Sequence, residues 1–252
     1  MLRTRIIPTL LLRGQGLVKT MKFKDPKYVG DPINAIKIFN EKEVDELVLL
    51  DITATSERRG PNFKIIEEVA SECFMPLGYG GGINSLEEAK RTLALGVEKI
   101  IVNTAAVENP SLVARLADSV GSQSVVVSVD VKKSLFGKYE VFTRSGTSNT
   151  KLDPAIYAQE LEKMGAGELL LNSIDRDGQM TGYDVSLIKR VTGAVGIPVI
   201  ACGGAGTLDH FGPAVKEGGA SALAAGSMFV FQGKHRAVLI SYPDRARLES
   251  CF

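Results

Sequence analysis

The 252-residue chain is expected to fold as a single (βα)8 barrel, α/β in class, and three observations support this. Eight short apolar runs alternate with segments of helical spacing, the pattern of strands buried on both faces in a parallel sheet. Eight such units in about 250 residues suit a closed barrel better than an open doubly wound sheet, which usually needs fewer strands. The third observation is an internal repeat: residues 75 to 105 superpose without a gap on residues 197 to 227, at an offset of 122.

In order, the runs are "RIIPTLLL" (5 to 12), "ELVLLDI" (46 to 52), "MPLGYGG" (75 to 81), "KIIVNTA" (99 to 105), "SVVVSVD" (124 to 130), "ELLLNSID" (168 to 175), "IPVIACGG" (197 to 204) and "SALAAGS" (221 to 227). The first follows two arginines, but it lacks a small-residue cleavage site and is too short to span a bilayer, so it reads as a buried strand. Between runs, stretches such as "SLEEAKRTLALG" (85 to 96) carry helical spacing. In the repeat Pro76 matches Pro198, Gly81 and Gly82 match Gly203 and Gly204, Gly96 matches Gly218, and Glu46 matches Glu168. Residues 1–252 therefore read as one barrel of two similar half-barrels, about 1–122 and 123–252. The segment 13 to 32 shows no period and holds Lys19, Lys22, Lys24 and Lys27. It reads as a long loop on the catalytic face, able to close over an anionic substrate.

Composition excludes several functions. A formal charge of +1, with 44% apolar and 23% charged residues, gives no global pull toward nucleic acid or membrane. Cys73, Cys202 and Cys251 are scattered and odd in number, so no disulfide framework, metal site or cofactor is expected, and a reducing cytoplasm fits best.

Candidate chemistry gathers at strand ends. Glycines lie at the end of the third and seventh runs, as Gly81, Gly82, Gly203 and Gly204, and "NTA" and "AAGS" end the fourth and eighth, with Asn103, Thr104, Gly226 and Ser227. Glycine lets backbone N–H groups approach an oxyanion, and a helix N-terminus adds a favourable field. A single glycine pair serves a tight turn equally well. Two matching sets predict a ligand with two phosphate ends. Asp130 closes the fifth run, where barrels place functional groups, and reads as a general acid/base; the alternatives are a cap or a pair with Lys132. "IDRDG" sets Asp175, Asp177 and Gly178 past the sixth run, as a turn that also offers an N–H to phosphate. Arg5, Glu46, Lys99 and Glu168 stand at the starts of four runs. From spacing alone they read as solvated strand-end charges, because a buried ring would be costly to desolvate. His210 and His235 read as surface residues, and Cys202 as a small buried hydrophobe.

Over nearly its whole length the chain resembles the cyclase subunit of imidazole glycerol phosphate synthase, through "GDPINAIKIFNEKEVDELVLLDITAT", "GGGI", "VNTAAVENPSLV", "GSQSVVVSVD", "SGTSNT", "SIDRDGQMTGYD" and "IACGGAG". The resemblance implies a class I glutaminase partner at the N-terminal face of the barrel. It also implies ammonia travelling through the barrel to a bisphosphorylated ribulosyl aminoimidazole carboxamide nucleotide. It assigns a charged ammonia gate to Arg5, Glu46, Lys99 and Glu168, reversing the reading from spacing. Phosphate sites fall on Gly82, Asn103 and Thr104, and on Asp177, Gly178, Gly204 and residues 225 to 227; Lys19 matches a catalytic-loop lysine.

One position departs. The family uses an aspartate pair, at the ends of the first and fifth strands; Asp130 is kept, but Leu11 stands in the other place. A general acid/base group contributes about 10²- to 10⁴-fold, so cyclase activity is expected to be severely weakened. Asn172 and Cys202 replace small hydroxylated residues. The pattern resembles a divergent branch found with surface-sugar amidation, in which a third enzyme uses the ammonia. The alternatives are a genuine cyclase of histidine biosynthesis and a docking scaffold.

Overall fold

A computed structural model describes residues 3–134 and 136–252. Eight parallel strands form its centre: β1 (Arg5–Arg13), β2 (Leu47–Asp51), β3 (Leu77–Gly80), β4 (Lys99–Val102), β5 (Val125–Lys133), β6 (Glu168–Ser173), β7 (Val199–Cys202) and β8 (Ala222–Ala225). Each pairs with the next, and β8 returns to β1 through Arg5↔Ala222 and Ile6↔Leu223, so the sheet closes. Closure leaves no barrel strand with a free edge. The fold is the (βα)8 barrel that the alternation predicts. Strands β3, β4, β7 and β8 are shorter than their apolar runs, because each run continues into the loop or helix at the top of the barrel.

Helices begin where caps permit. Asp31 accepts from the Asn34 N–H at 3.0 Å, ahead of the helix Pro32–Glu41, which has proline in its first turn. Ser85 accepts from the Glu88 N–H at 3.2 Å at the start of Leu86–Ala94. These helices cover the outer faces of the strands, where Ile6, Leu10, Leu12, Val125, Val127, Leu169 and Leu171 belong to the larger core cluster.

The interior follows from a period of two. Ile7, Val48, Ile101, Val126, Leu170, Ile200, Ala222 and Ala224 form a separate apolar cluster within the barrel. Two residues earlier on the same faces come Arg5, Glu46, Lys99 and Glu168; two and four residues later come Thr9 and Leu11, Leu50, Ser128 and Asp130, and Asn172. The interior thus has a charged floor, an apolar middle and a mixed top.

The segment 13 to 32 is not an unpatterned loop. Gly16–Met21 runs antiparallel to β1, with Leu11↔Val18 and Leu12↔Leu17, and then pairs with Lys24–Gly30. Positive φ at Lys22 and Phe23 makes the tight turn, the geometry that a two-residue hairpin demands. Leu17, Val18, Lys19 and Thr20 are all buried, so the strand is held by burial despite its lysines. Beyond Asp130, β5 likewise continues into a hairpin with Tyr139–Thr143, pairing Asp130↔Phe142.

Gly204 has φ +113°, and a Cβ there would overlap the Gly182 carbonyl oxygen, whereas one on Gly14 (φ +62°) would meet open space. Gly14→Ala should therefore cost only the left-handed backbone penalty of about 1–2 kcal/mol, and Gly204→Ala clearly more. Urea denaturation checks this, and equal losses for the two variants would refute it.

Candidate functional site

The loops at the C-terminal ends of the strands surround a cavity of about 430 Å³. Lys19, Gly81, Gly82, Asn103, Thr104, Asp130, Asp177, Gly178, Gly203, Gly204, Gly226 and Ser227 all line it, so the top-face candidates named from sequence come together, Asp175 excepted. Leu11, Asn172 and Cys202 line it too.

The glycines are required by close approaches that recur at the offset of the repeat. A Cβ on Gly81 would run into Asp51, and one on Gly203 into Ser173; Gly82 lies against Gly60 as Gly204 does against Gly182. Gly81, Gly82, Gly203 and Gly204 all have positive φ. Beside them Thr104 and Ser227 each open a short helix, after Asn103 and Gly226. The Asn103 amide donates to the Ser128 carbonyl at 2.9 Å, and the Thr104 hydroxyl accepts from the Arg144 N–H at 3.0 Å.

Asp177 has another task. Its carboxylate accepts from the Thr20 hydroxyl at 2.8 Å and the Phe23 N–H at 3.1 Å, and its carbonyl accepts from the Lys22 N–H at 3.0 Å. It clasps the hairpin over the cavity, and Gly178 follows it in the cavity lining. Asp175 lies outside the cavity lining and accepts from the Lys133 N–H at 2.8 Å.

The walls of the cavity differ in chemistry. Asp130 is only 7% exposed and accepts from the Ser128 hydroxyl at 3.1 Å. Burial pushes its carboxyl up to about 7, against the Ser128 bond and with help from the Asp177 charge. Lys132 is exposed, over the Phe142 ring, and forms no ion pair with Asp130. Lys19 is buried and donates to the Thr9 carbonyl; desolvation lowers its ammonium to about 8. Burial raises the Cys202 thiol to about 12, which keeps it protonated. Next to Asp130 in register, Asn172 is buried and its Oδ1 has no hydrogen-bond partner; nor has Thr9 Oγ1. Across the cavity Leu11 lies in register with Leu50, an apolar pair above the buried Thr9 and Lys19.

At the floor the four strand-start charges do meet. Arg5 donates to Glu46 and, at 2.6 Å, to Glu168; Lys99 donates to Glu46 at 3.1 Å and to Glu168 at 2.9 Å. Cations and anions alternate in one ring, and Glu46 is only 3% exposed. The expectation of solvated charges, from spacing alone, fails because strand parity turns all four inward.

Asp51 was missed by the sequence reading. It ends its strand after an apolar run, yet it is held bidentately by Arg59 at 2.7 and 3.0 Å and accepts from the Thr53 and Ala54 N–H groups. The apolar run "LVLL" before it was the available signal. His210 is half-buried rather than a surface residue, its Nδ1 accepting from the Gly206 N–H at 3.1 Å, while His235 is exposed. No helix among the described residues is long and apolar enough to cross a membrane.

The histidine biosynthesis protein family matches residues 5–236. A Pseudomonas aeruginosa protein provisionally named imidazole glycerol phosphate synthase subunit hisF2 is 57% identical, over 99% of both chains. A Leptospira borgpetersenii protein provisionally named subunit HisF is 51% identical over the full length of both. Imidazole glycerol phosphate synthase subunit HisF of Hyphomonas neptunium is 46% identical over 92% of this chain and 91% of its own.

The Asp130 environment makes a pH prediction. With its folded pKa raised from 3.8 to about 7, Asp130 favours the fold while protonated; that contribution is complete below pH 3.8 and is lost as pH rises to about 7. Asp130→Asn should remove this loss, so the variant should gain in Tm over the parent as the buffer moves from pH 5 to pH 8. A Tm difference independent of pH over that window would contradict it.

Proposed function

The chain belongs to the histidine biosynthesis protein family as a divergent HisF-type paralogue, and on that basis we propose that it is the synthase subunit of a glutamine amidotransferase complex. A class I glutaminase docks on the N-terminal face and releases ammonia beneath Arg5, Glu46, Lys99 and Glu168. The ammonia enters as this ring opens, crosses the apolar layer as the neutral molecule, and emerges beside Asp130 and Asn172. A phosphorylated small molecule spans the two glycine cradles at the top. Cyclase turnover is weakened because Leu11 has no proton to transfer, and the ammonia serves another acceptor, in amidation of a surface sugar. The cytoplasm is the compartment that suits such a complex.

The observation that carries this reading is the contrast between the two ends of the barrel. The floor keeps an alternating ring of four charges, an arrangement costly to desolvate and without need in a docking scaffold. The top has lost one of two proton-transfer groups.

A second reading, the genuine cyclase of histidine biosynthesis, is favoured by one observation. Asp130 at about 7 and Lys19 at about 8 leave a donor and an acceptor of protons near neutrality in the same cavity.

Supplying the purified chain with the bisphosphorylated ribulosyl nucleotide and ammonium salt at high pH separates the two. The parent should turn over about 10²- to 10⁴-fold more slowly than its Leu11→Asp variant; a parent as fast as the variant sinks the first reading. With the glutaminase bound, Lys99→Ala and Glu46→Ala should lower the fraction of glutamine nitrogen delivered to the top of the barrel. Unchanged delivery in both would remove the gate assignment.

A further inference from the structure

The near-neutral total charge hides a strong separation. Three hairpins crown the mouth of the cavity: 13–30 after β1, 131–140 after β5, and 231–238 after β8. The third is tied to the first, where Lys27 lies over the Phe231 ring, and to the turn after β6, where Arg236 donates to the Gly178 carbonyl at 2.6 Å. These segments hold ten of the 30 basic residues and two of the 29 acidic ones, which leaves 20 basic against 27 acidic in the rest of the chain. The crown is positive by eight and the remainder negative by seven.

Except for Lys19, these cations face solvent: Arg13, Lys22, Lys24, Lys27, Lys132, Lys133, Lys138 and Lys234 are exposed, and Arg236 partly so. Among the described residues none of the nine forms a salt bridge, although exposed cations elsewhere, such as Lys64 and Arg245, do. None of the nine lines the cavity either. They stand outside the cavity lining, on hairpins that follow the C-terminal ends of the strands. Seven are lysines, compact point charges rather than the planar forks that grip a docked surface, and lysine is depleted at protein interfaces.

We infer that this crown is an electrostatic funnel, whose lysines, free of salt bridges, accelerate capture of the multiply charged ligand by the cavity. The inference rests on the phosphate-binding reading of the cavity and adds how the ligand is gathered. Clustered charge of one sign around a low-dielectric cleft raises association rates by about 10- to 1,000-fold, and the gain fades with salt. A single phosphate would feel it weakly, and a bisphosphate strongly.

Surface plasmon resonance with the bisphosphorylated ribulosyl nucleotide tests it, comparing the parent with a chain in which Lys22, Lys24, Lys27, Lys132, Lys133 and Lys138 are changed to Gln. The expected result at low salt is an association rate lower by about tenfold, a nearly unchanged dissociation rate, and convergence of the two proteins at high salt. Changing the same six lysines to Arg should restore the rate, and changing Lys64, Lys90 and Lys163 to Gln should leave it intact. Should the six-Gln chain fail to fold, each set of three is tested alone and should give a smaller drop of the same kind. An association rate that is equal in parent and Gln chains, and insensitive to salt, overturns the funnel while binding itself upholds the cavity reading. If the parent binds neither the nucleotide nor inorganic phosphate, the cavity reading fails and the funnel with it.

Discussion

Four charges at the floor of a closed barrel set the terms for the rest of the interior. Arg5, Glu46, Lys99 and Glu168 are mutually satisfied only while their four strands stay in register, because each cation donates to both anions. Removing one member would leave two like charges sharing a single counter-ion in a largely desolvated ring, which is unfavourable. The same register then dictates the layers above. Two residues on, the side chains are apolar; two to four further, they are Thr9, Leu11, Ser128, Asp130 and Asn172. A charged floor, an apolar middle and a mixed top lining the cavity thus follow from strand parity.

Much of this was legible in the sequence, for physical reasons that can be named. The eight apolar runs marked the strands because a barrel strand is buried on both faces. The glycine pairs marked the cavity because no side chain fits where Gly81 meets Asp51 or Gly204 meets Gly182. The strand-start charges could be found but not paired, since Arg5 and Glu168 meet only through closure of the sheet. The hairpin at 16 to 30 was hidden because lysines masked an alternation whose burial comes from the top of β1. Asp177 looked like part of a turn. Its role as clasp depends on Thr20 and Phe23, far away in the chain, which no local pattern shows.

The asymmetry between Leu11 and Asp130 is therefore one of chemistry and not of architecture. Both line one cavity, at the ends of β1 and β5, each beside a hairpin. Asp130 lies beside Ser128 and Asn172, while Leu11 lies beside Leu50. The cavity keeps an acid on its β5 side and an apolar pair at the top of β1, with positive-φ glycine turns on both sides of it. On the proposed reading, a barrel of this kind holds a phosphorylated ligand and receives ammonia without the proton relay that two facing acids would supply.

The most direct test of that account is the stoichiometry of the intact complex. With the glutaminase bound, glutamine and the bisphosphorylated ribulosyl nucleotide are supplied together, and glutamate and imidazole glycerol phosphate are measured in the same sample. The account predicts glutamate in large excess, with imidazole product formed at about 10²- to 10⁴-fold lower yield. One imidazole product for each glutamate would contradict it.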